Sequence, residues 1–295
     1  MSIVKLTALV SMLSLAAAGA AAQTPAAPAP AAAAKPAAAV NPVVFPHVHL
    51  TVKDVAATKK LLVDLLGGTA ATVGSVETVK YPGLVVLLHA GDPKGGSKGS
   101  TVSLIGLEVN DLKKVVDALR AAKAKMVTRE ETNMVYTVFA DVATIPDQQT
   151  ISAVVQTPDG VNIRLVENKK AAAPVSFGYL HFAPERLDDM MDWYTKAFGA
   201  KTGDRGFGFQ SLDLGKKPGA LLFTLASEKV VGTEGRSLSR IGFEVRGAAL
   251  LAQKLQRLGG KIVKPAARAA DMGVTTVVVS DPWGTLIELT EGLKL

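Results

Sequence analysis

Thr157-Pro158-Asp159-Gly160-Val161-Asn162-Ile163-Arg164-Leu165-Val166-Glu167 and Asp281-Pro282-Trp283-Gly284-Thr285-Leu286-Ile287-Glu288-Leu289-Thr290-Glu291 are one motif written twice, 124 residues apart from Gly160 to Gly284. Each copy is a tight turn carrying a glycine, followed by a short strand of alternating apolar residues. A repeated turn and strand of this kind marks a chain built from two copies of one unit. The copies differ at one telling position, which is Arg164 in the first and Glu288 in the second.

Working outward, the units fill nearly all of the chain. Val43–Val52 alternates and is rich in β-branched residues, as a strand is. Lys53-Asp54 opens a helix that runs to Leu66 and is closed by Gly67-Gly68. Strands at Thr69–Gly74, Glu77–Tyr81 and Leu84–His89 follow, and Asp92–Ser100 is a Gly/Lys-rich loop. The order then repeats. Thr101–Val109 is a strand, Asp111 caps a helix over Leu112–Ala124, and the strands that follow end at Val161–Glu167.

After Lys169–Pro174 the pattern starts again with a strand at Phe177–Ala183 and a helix at Arg186–Phe198 closed by Gly199. A strand at Ser239–Val245 and a helix at Ala248–Leu258 closed by Gly259-Gly260 complete it, with strands running to Glu291. Ile105-Gly106-Leu107-Glu108-Val109 aligns with Ile241-Gly242-Phe243-Glu244-Val245, and His49 aligns with His181. The Gly106–Gly242 spacing is 136 residues, 12 more than the turn spacing, so the first half carries an insertion, placed in Arg129–Thr150. An insertion there is a candidate lid or interface loop.

Composition narrows the function classes. Lys+Arg 33 against Asp+Glu 26 gives a mildly basic chain, but the charges lie on the polar faces of predicted helices, which argues against a nucleic-acid partner. The absence of cysteine excludes disulfides and thiolate catalysis. No serine–histidine triad, phosphate loop or nucleotide fingerprint is present. Lys5, an apolar run over Leu6–Ala18 and Ala20-Ala21-Ala22 before Gln23 read as a signal peptide cleaved near Ala22/Gln23, too short for a stable membrane span. A periplasmic or secreted protein is expected. Residues 23–42, almost all Ala and Pro, read as an extended tether. Trp193, Tyr194 and Phe198 sit at helical spacing and are expected in the core. Trp283 is expected at the mouth of a cup or at a domain contact.

Four strand–helix–three-strand modules resemble the vicinal oxygen chelate superfamily, which includes glyoxalase I, the bleomycin-resistance proteins, the extradiol dioxygenases and the fosfomycin-resistance enzymes. The resemblance rests on Pro46-His47-Val48-His49-Leu50-Thr51-Val52-Lys53-Asp54 with Leu65-Leu66-Gly67, on Trp193-Tyr194-Thr195-Lys196-Ala197-Phe198-Gly199, and on the Asp-Pro-x-Gly-x-x-Ile-Glu-Leu motif at 281–289. It implies an α+β fold of four βαβββ modules paired into two cup-shaped half-barrel domains, 43–168 and 175–295, with 169–174 as the linker. The two complete copies allow each half to pair internally.

The family's enzymes hold a divalent metal in the cup by residues of the first, fourth, fifth and eighth strands. Carried over, those positions are His47, Leu104 and Arg164 in the first half, with His89 near the fourth-strand position. In the second half they are Tyr179, Arg240 and Glu288. Neither half alone has a full set, so the resemblance implies a metal-free cup that binds a small molecule, as the bleomycin-resistance type does. His47, His49, Arg164, Tyr179, His181, Arg240 and Glu288 are the ligand-binding candidates, and the two arginines suit an anionic ligand. The alternatives are a divergent metal-dependent lyase or dioxygenase holding Zn, Ni, Mn or Fe on His47, His49 and His89, and a non-catalytic envelope interaction module. Arg240 and Glu288 are expected to form an ion pair in the metal's place.

Overall fold

The computed structural model describes residues 43–127, 142–145, 150–204, 210–214 and 219–294. The expected signal peptide and tether, and most of the Arg129–Thr150 insertion, lie outside these residues. The first module is β1 (Val43–Val52), α1 (Val55–Lys60) with a wider turn at Leu61–Leu65, β2 (Thr69–Val73), β3 (Val76–Tyr81) and β4 (Leu84–Ala90). The second is β5 (Val102–Val109), α2 (Leu112–Ala121), β6 (Lys125–Met126), β7 (Val142–Ile145), β8 (Thr150–Gln156) and β9 (Asn162–Glu167). The third is β10 (Val175–Phe182), α3 (Leu187–Phe198), β11 (Lys201–Asp204), β12 (Gln210–Asp213) and β13 (Ala220–Phe223). The fourth is β14 (Leu238–Val245), α4 (Ala248–Arg257), β15 (Lys261–Arg268), β16 (Thr275–Ser280) and β17 (Leu286–Glu291).

The local signals act as expected. Asp54 and Asp111 each accept a hydrogen bond from the backbone N–H three residues on, at 2.9 Å, and so start α1 and α2. Gly199 ends α3 in the left-handed conformation. The last residue of each repeated motif caps its module's helix. Glu291 accepts from the Gly247 and Ala248 amides at 2.8 and 3.1 Å, and Glu167 accepts from the Leu112 amide at 3.4 Å.

Pairing between modules crosses the two halves. One sheet runs β15-β16-β17-β14-β1-β4-β3-β2 and joins the fourth module to the first. The other runs β11-β12-β13-β10-β5-β9-β8-β6 and joins the third to the second. The internal pairing allowed by two complete copies is therefore not the one adopted. The short linker Lys169–Pro174 supplies a reason. It delivers β10 beside β5, where Val175 pairs with Val109 and Phe177 with Leu107, at a small loop-closure cost. With the inner modules joined, the free edges of β1 and β14 pair with each other from Val43–Val245 through Leu50–Leu238.

The loops between modules brace the repeated turns in matching ways. Ser97 donates its amide to Gly160 O (2.9 Å) and accepts the Asn162 amide on its hydroxyl (2.9 Å). Thr233 does the same with Gly284 O (3.1 Å) and the Leu286 amide (2.9 Å). Gly160 and Gly284 hold φ of 84° and 86°, and a Cβ on Gly96 or Gly232 would lie 2.1 or 2.3 Å from their carbonyl oxygens, so these contacts require glycine.

The helix-bearing faces of both sheets share one apolar core that includes Val48, Leu50, Phe182, Tyr194, Phe198, Phe243 and Leu289. Trp193, Tyr194 and Phe198 are buried, as expected. Trp283 packs edge-on to Trp193 at 6.3 Å, at the contact between α3 and the turn before β17. There Tyr194 donates its hydroxyl to the buried Asp281 at 3.0 Å. On the other face of the first sheet, Phe45, Val85, Leu87, Met272, Val274 and Leu293 form a smaller cluster. The sheet's far ends meet where Ser75 donates its amide to Asp271 O at 2.8 Å, and this curls the sheet into a cup.

Candidate metal centre and its counterpart

Alternation along β1 sends Val48, Leu50 and Val52 to the helices and places His47 and His49 on the opposite face. Register sets their neighbours. His47 pairs with Gly242 on β14, and Gly242 pairs with Glu288 on β17, so the three residues form one row across three strands. His49 pairs with Arg240 in the next row. The first module's histidines and the last module's acid thus share one cup.

Gly242 is what lets the row close. A Cβ there would lie 2.0 Å from His47 Nε2, so the imidazole occupies the space that any other residue's side chain would fill. His49 Nε2 lies 2.8 Å and His47 Nε2 3.9 Å from Glu288 Oε2. One ligand atom from each of the three residues falls within 4.8 Å of the other two. His47 and His49 are fully buried, and Glu288 is 2% exposed.

Despite this closeness, His47 Nε2, His49 Nε2 and Glu288 Oε2 have no aligned hydrogen-bond partner, and neither has His47 Nδ1. The 2.8 Å pair is close but is not directed as a hydrogen bond. Each orphaned buried polar atom costs about 1–3 kcal/mol. A cluster of them within 4.8 Å of one another calls for a ligand. Two imidazoles and a carboxylate are the donor set that holds zinc or, with open positions, ferrous iron. The residues present therefore fit a divalent ion.

Surrounding contacts hold this set in place. Arg240 Nη1 donates to Glu288 Oε1 at 3.1 Å, the ion pair expected from the sequence, and leaves Oε2 facing the histidines. His89 Nε2 lies 2.9 Å from His49 Nδ1, and the two rings stack at 5.1 Å. With His49 donating from Nδ1, its Nε2 carries the lone pair a metal needs. Burial, partly offset by Glu288, lowers the His49 pKa to about 4, so this ring is neutral at physiological pH. Burial alone would raise the pKa of Glu288, but the Arg240 guanidinium bonded to it, with the His49 and His47 rings close by, holds it well below the usual carboxylate range.

The second cup repeats the register with other chemistry. Tyr179 pairs with Gly106 and Gly106 with Arg164, the counterparts of His47, Gly242 and Glu288. A Cβ on Gly106 would lie 2.4 Å from the Tyr179 ring. His181 pairs with Leu104, as His49 does with Arg240. Its Nδ1 lies 2.5 Å from Ser103 Oγ and its Nε2 2.9 Å from Thr224 Oγ1. Arg164 is buried and donates to Ser152 Oγ at 3.1 and 3.2 Å. Burial, with Arg164 nearby, lowers the His181 pKa to about 3. A fixed cation on the acid's position does not suit a metal.

The seven ligand-binding candidates divide into two groups. His47, His49, Arg240 and Glu288 meet in the first cup, and Tyr179, His181 and Arg164 meet in the second. The three-histidine set is redrawn. Glu288 stands with His47 and His49, and His89 sits behind His49 as its hydrogen-bond partner. Ser103, Ser152 and Thr224 carried no motif by which they could be singled out. The lone glycine in each Ile-Gly-x-Glu-Val strand was the signal for close approach, and it marks the centre of both rows.

The Glyoxalase/Bleomycin resistance protein/Dioxygenase superfamily model matches residues 44–165 and 176–289. Glyoxalase I from Zea mays is similar in structure, with a TM-score of 0.63 at 15% identity over 83% of this chain and 91% of that one. A putative dioxygenase from Bacillus subtilis is similar at a TM-score of 0.60 and 10% identity, over 86% and 87%. No curated protein matches. With both halves matched by the family model and all four modules in place, the chain belongs to the Glyoxalase/Bleomycin resistance protein/Dioxygenase superfamily.

Proposed function

We propose that the first cup is a divalent-metal centre held by His47, His49 and Glu288, and that the protein is a metal-dependent lyase or dioxygenase acting on a small molecule with vicinal oxygens. The observation that carries this reading is the grouping of three buried ligand atoms, none with a hydrogen-bond partner, within 4.8 Å of one another. The loss of ligand positions in each half favours a metal-free protein, but pairing across the halves brings His47, His49 and Glu288 into one cup, with Arg240 at the remaining position. When bound, the ion supplies Lewis acidity to the oxygens of the ligand. The chain's own part is to hold two imidazoles, that of His49 kept neutral by burial, and one carboxylate oxygen in a water-poor site. Arg240 restrains the second carboxylate oxygen, and His89 fixes the ring of His49.

Tyr179 and Arg164 on the matching positions of the second cup favour metal-free binding of a small molecule there. We also propose that the protein is exported, on the strength of the leader-like N-terminus and the Ala/Pro tether. Among the described residues, no helix is long and apolar enough to cross a membrane.

Calorimetric titration of metal-stripped protein with Mn²⁺, Zn²⁺, Ni²⁺ and Fe²⁺ tests the metal reading. One equivalent is expected to bind. Glu288→Gln is expected to weaken binding by 10-fold or more, on the order of what loss of a charged ligand costs. No binding, or binding unchanged by the substitution, would overturn the reading.

A further inference from the structure

Arg240 occupies a position where the superfamily's enzymes place a metal ligand, and a guanidinium cannot serve as one. Its placement suggests another task. Nη1 is committed to Glu288 Oε1, its one hydrogen-bond partner among the described residues. The Arg240 side chain is 22% exposed, against 3% for Glu288 and 0% for the two histidines. It is therefore the charged group of the cluster that reaches toward solvent, beside the point on which the ligand atoms converge. The other donors of its planar fork match a carboxylate bidentately.

Charge bookkeeping points the same way. Glu288 supplies the one anion of the three-residue group, and Arg240 neutralises it. A divalent ion there leaves its charge uncompensated by the protein. A neutral chelating ligand would leave that charge buried and unbalanced, whereas an anionic one balances it. From this placement we infer that Arg240 makes the first cup selective for anionic vicinal-oxygen ligands of the 2-oxo- and 2-hydroxycarboxylate class, with the guanidinium taking the carboxylate. The inference rests on the metal reading above.

Oxalate, oxamate and oxamide test it, because they share one frame of vicinal oxygens and carry two, one and no negative charges. Binding of each to the full chain is measured by calorimetry with and without Mn²⁺, for the wild type, Arg240→Gln and Arg240→Lys. In Mn²⁺-loaded wild type, affinity falls from oxalate to oxamate to oxamide by about tenfold per charge. Arg240→Gln loses about tenfold in oxalate affinity while Mn²⁺ itself binds more tightly, since a neighbouring cation has gone. Arg240→Lys keeps the preference for charge but binds oxalate less tightly than wild type, because the fork is lost.

Equal affinity for the three ligands overturns the inference. So does an unchanged order in Arg240→Gln, or a parallel weakening of Mn²⁺ and oxalate, which marks a merely structural arginine. If the wild type binds no Mn²⁺, the metal reading falls, and the metal-free titrations still decide the role of Arg240. Oxalate preference lost in Arg240→Gln upholds it, and its absence in the wild type overturns it.

Discussion

At the scale of single residues, His49 and His181 hold equivalent places and meet opposite surroundings. His49 faces a carboxylate across the strands, while His181 lies between two hydroxyls and near a guanidinium. Burial lowers both pKa values, and Arg164 lowers that of His181 further, to about 3 from 6.5. The sign follows from linkage. A histidine whose folded pKa is depressed adds stability above its unfolded pKa of 6.5 and loses it as pH falls toward the folded value. The loss amounts to about 1.4 kcal/mol per pH unit below 6.5. His181→Gln removes that titration, so its urea midpoint is expected to fall less than the wild type's between pH 7.5 and pH 4.5. Equal falls would show that His181 does not resist protonation in the fold.

At the scale of elements, each cup rests on a row of three residues over three strands, and glycine sits at the centre of each row. Alanine at Gly242 places a Cβ against the His47 ring, and alanine at Gly106 places one against Tyr179. Both substitutions are expected to cost about 1–3 kcal/mol through overpacking. Their effects on Mn²⁺ binding should part, with Gly242→Ala losing at least tenfold and Gly106→Ala unchanged. A Gly242→Ala variant with wild-type Mn²⁺ affinity would mean that His47 is not a ligand.

Much at this scale is legible in the sequence. Period-two strands, aspartate caps, closing glycines and the doubled turn give each module its order. Cross-strand register is not legible. The link from His47 through Gly242 to Glu288 spans 241 residues of sequence and is set by strand pairing, which no local pattern encodes.

At the scale of the whole molecule, the exchange between Arg164 and Glu288 is decided by which modules pair. Read half by half, it separates the histidines from the acid. With the first module paired to the fourth, the same residues give one cup with two histidines and a carboxylate, and another with a tyrosine and an arginine. The short Lys169–Pro174 linker biases the chain to this pairing, although the sequence repeat alone favours neither. Two cups of matching register thus carry opposite charge at the acid's position, one suited to a metal and one not.

In the proposed centre, two histidines of the first module and one acid of the last hold one ion. Pulsed electron paramagnetic resonance of the Mn²⁺-loaded full chain counts the coordinated imidazole nitrogens directly. Two are expected in the wild type, one in His47→Ala or His49→Ala, and two still in His89→Ala. Three coordinated nitrogens, or none, would contradict it.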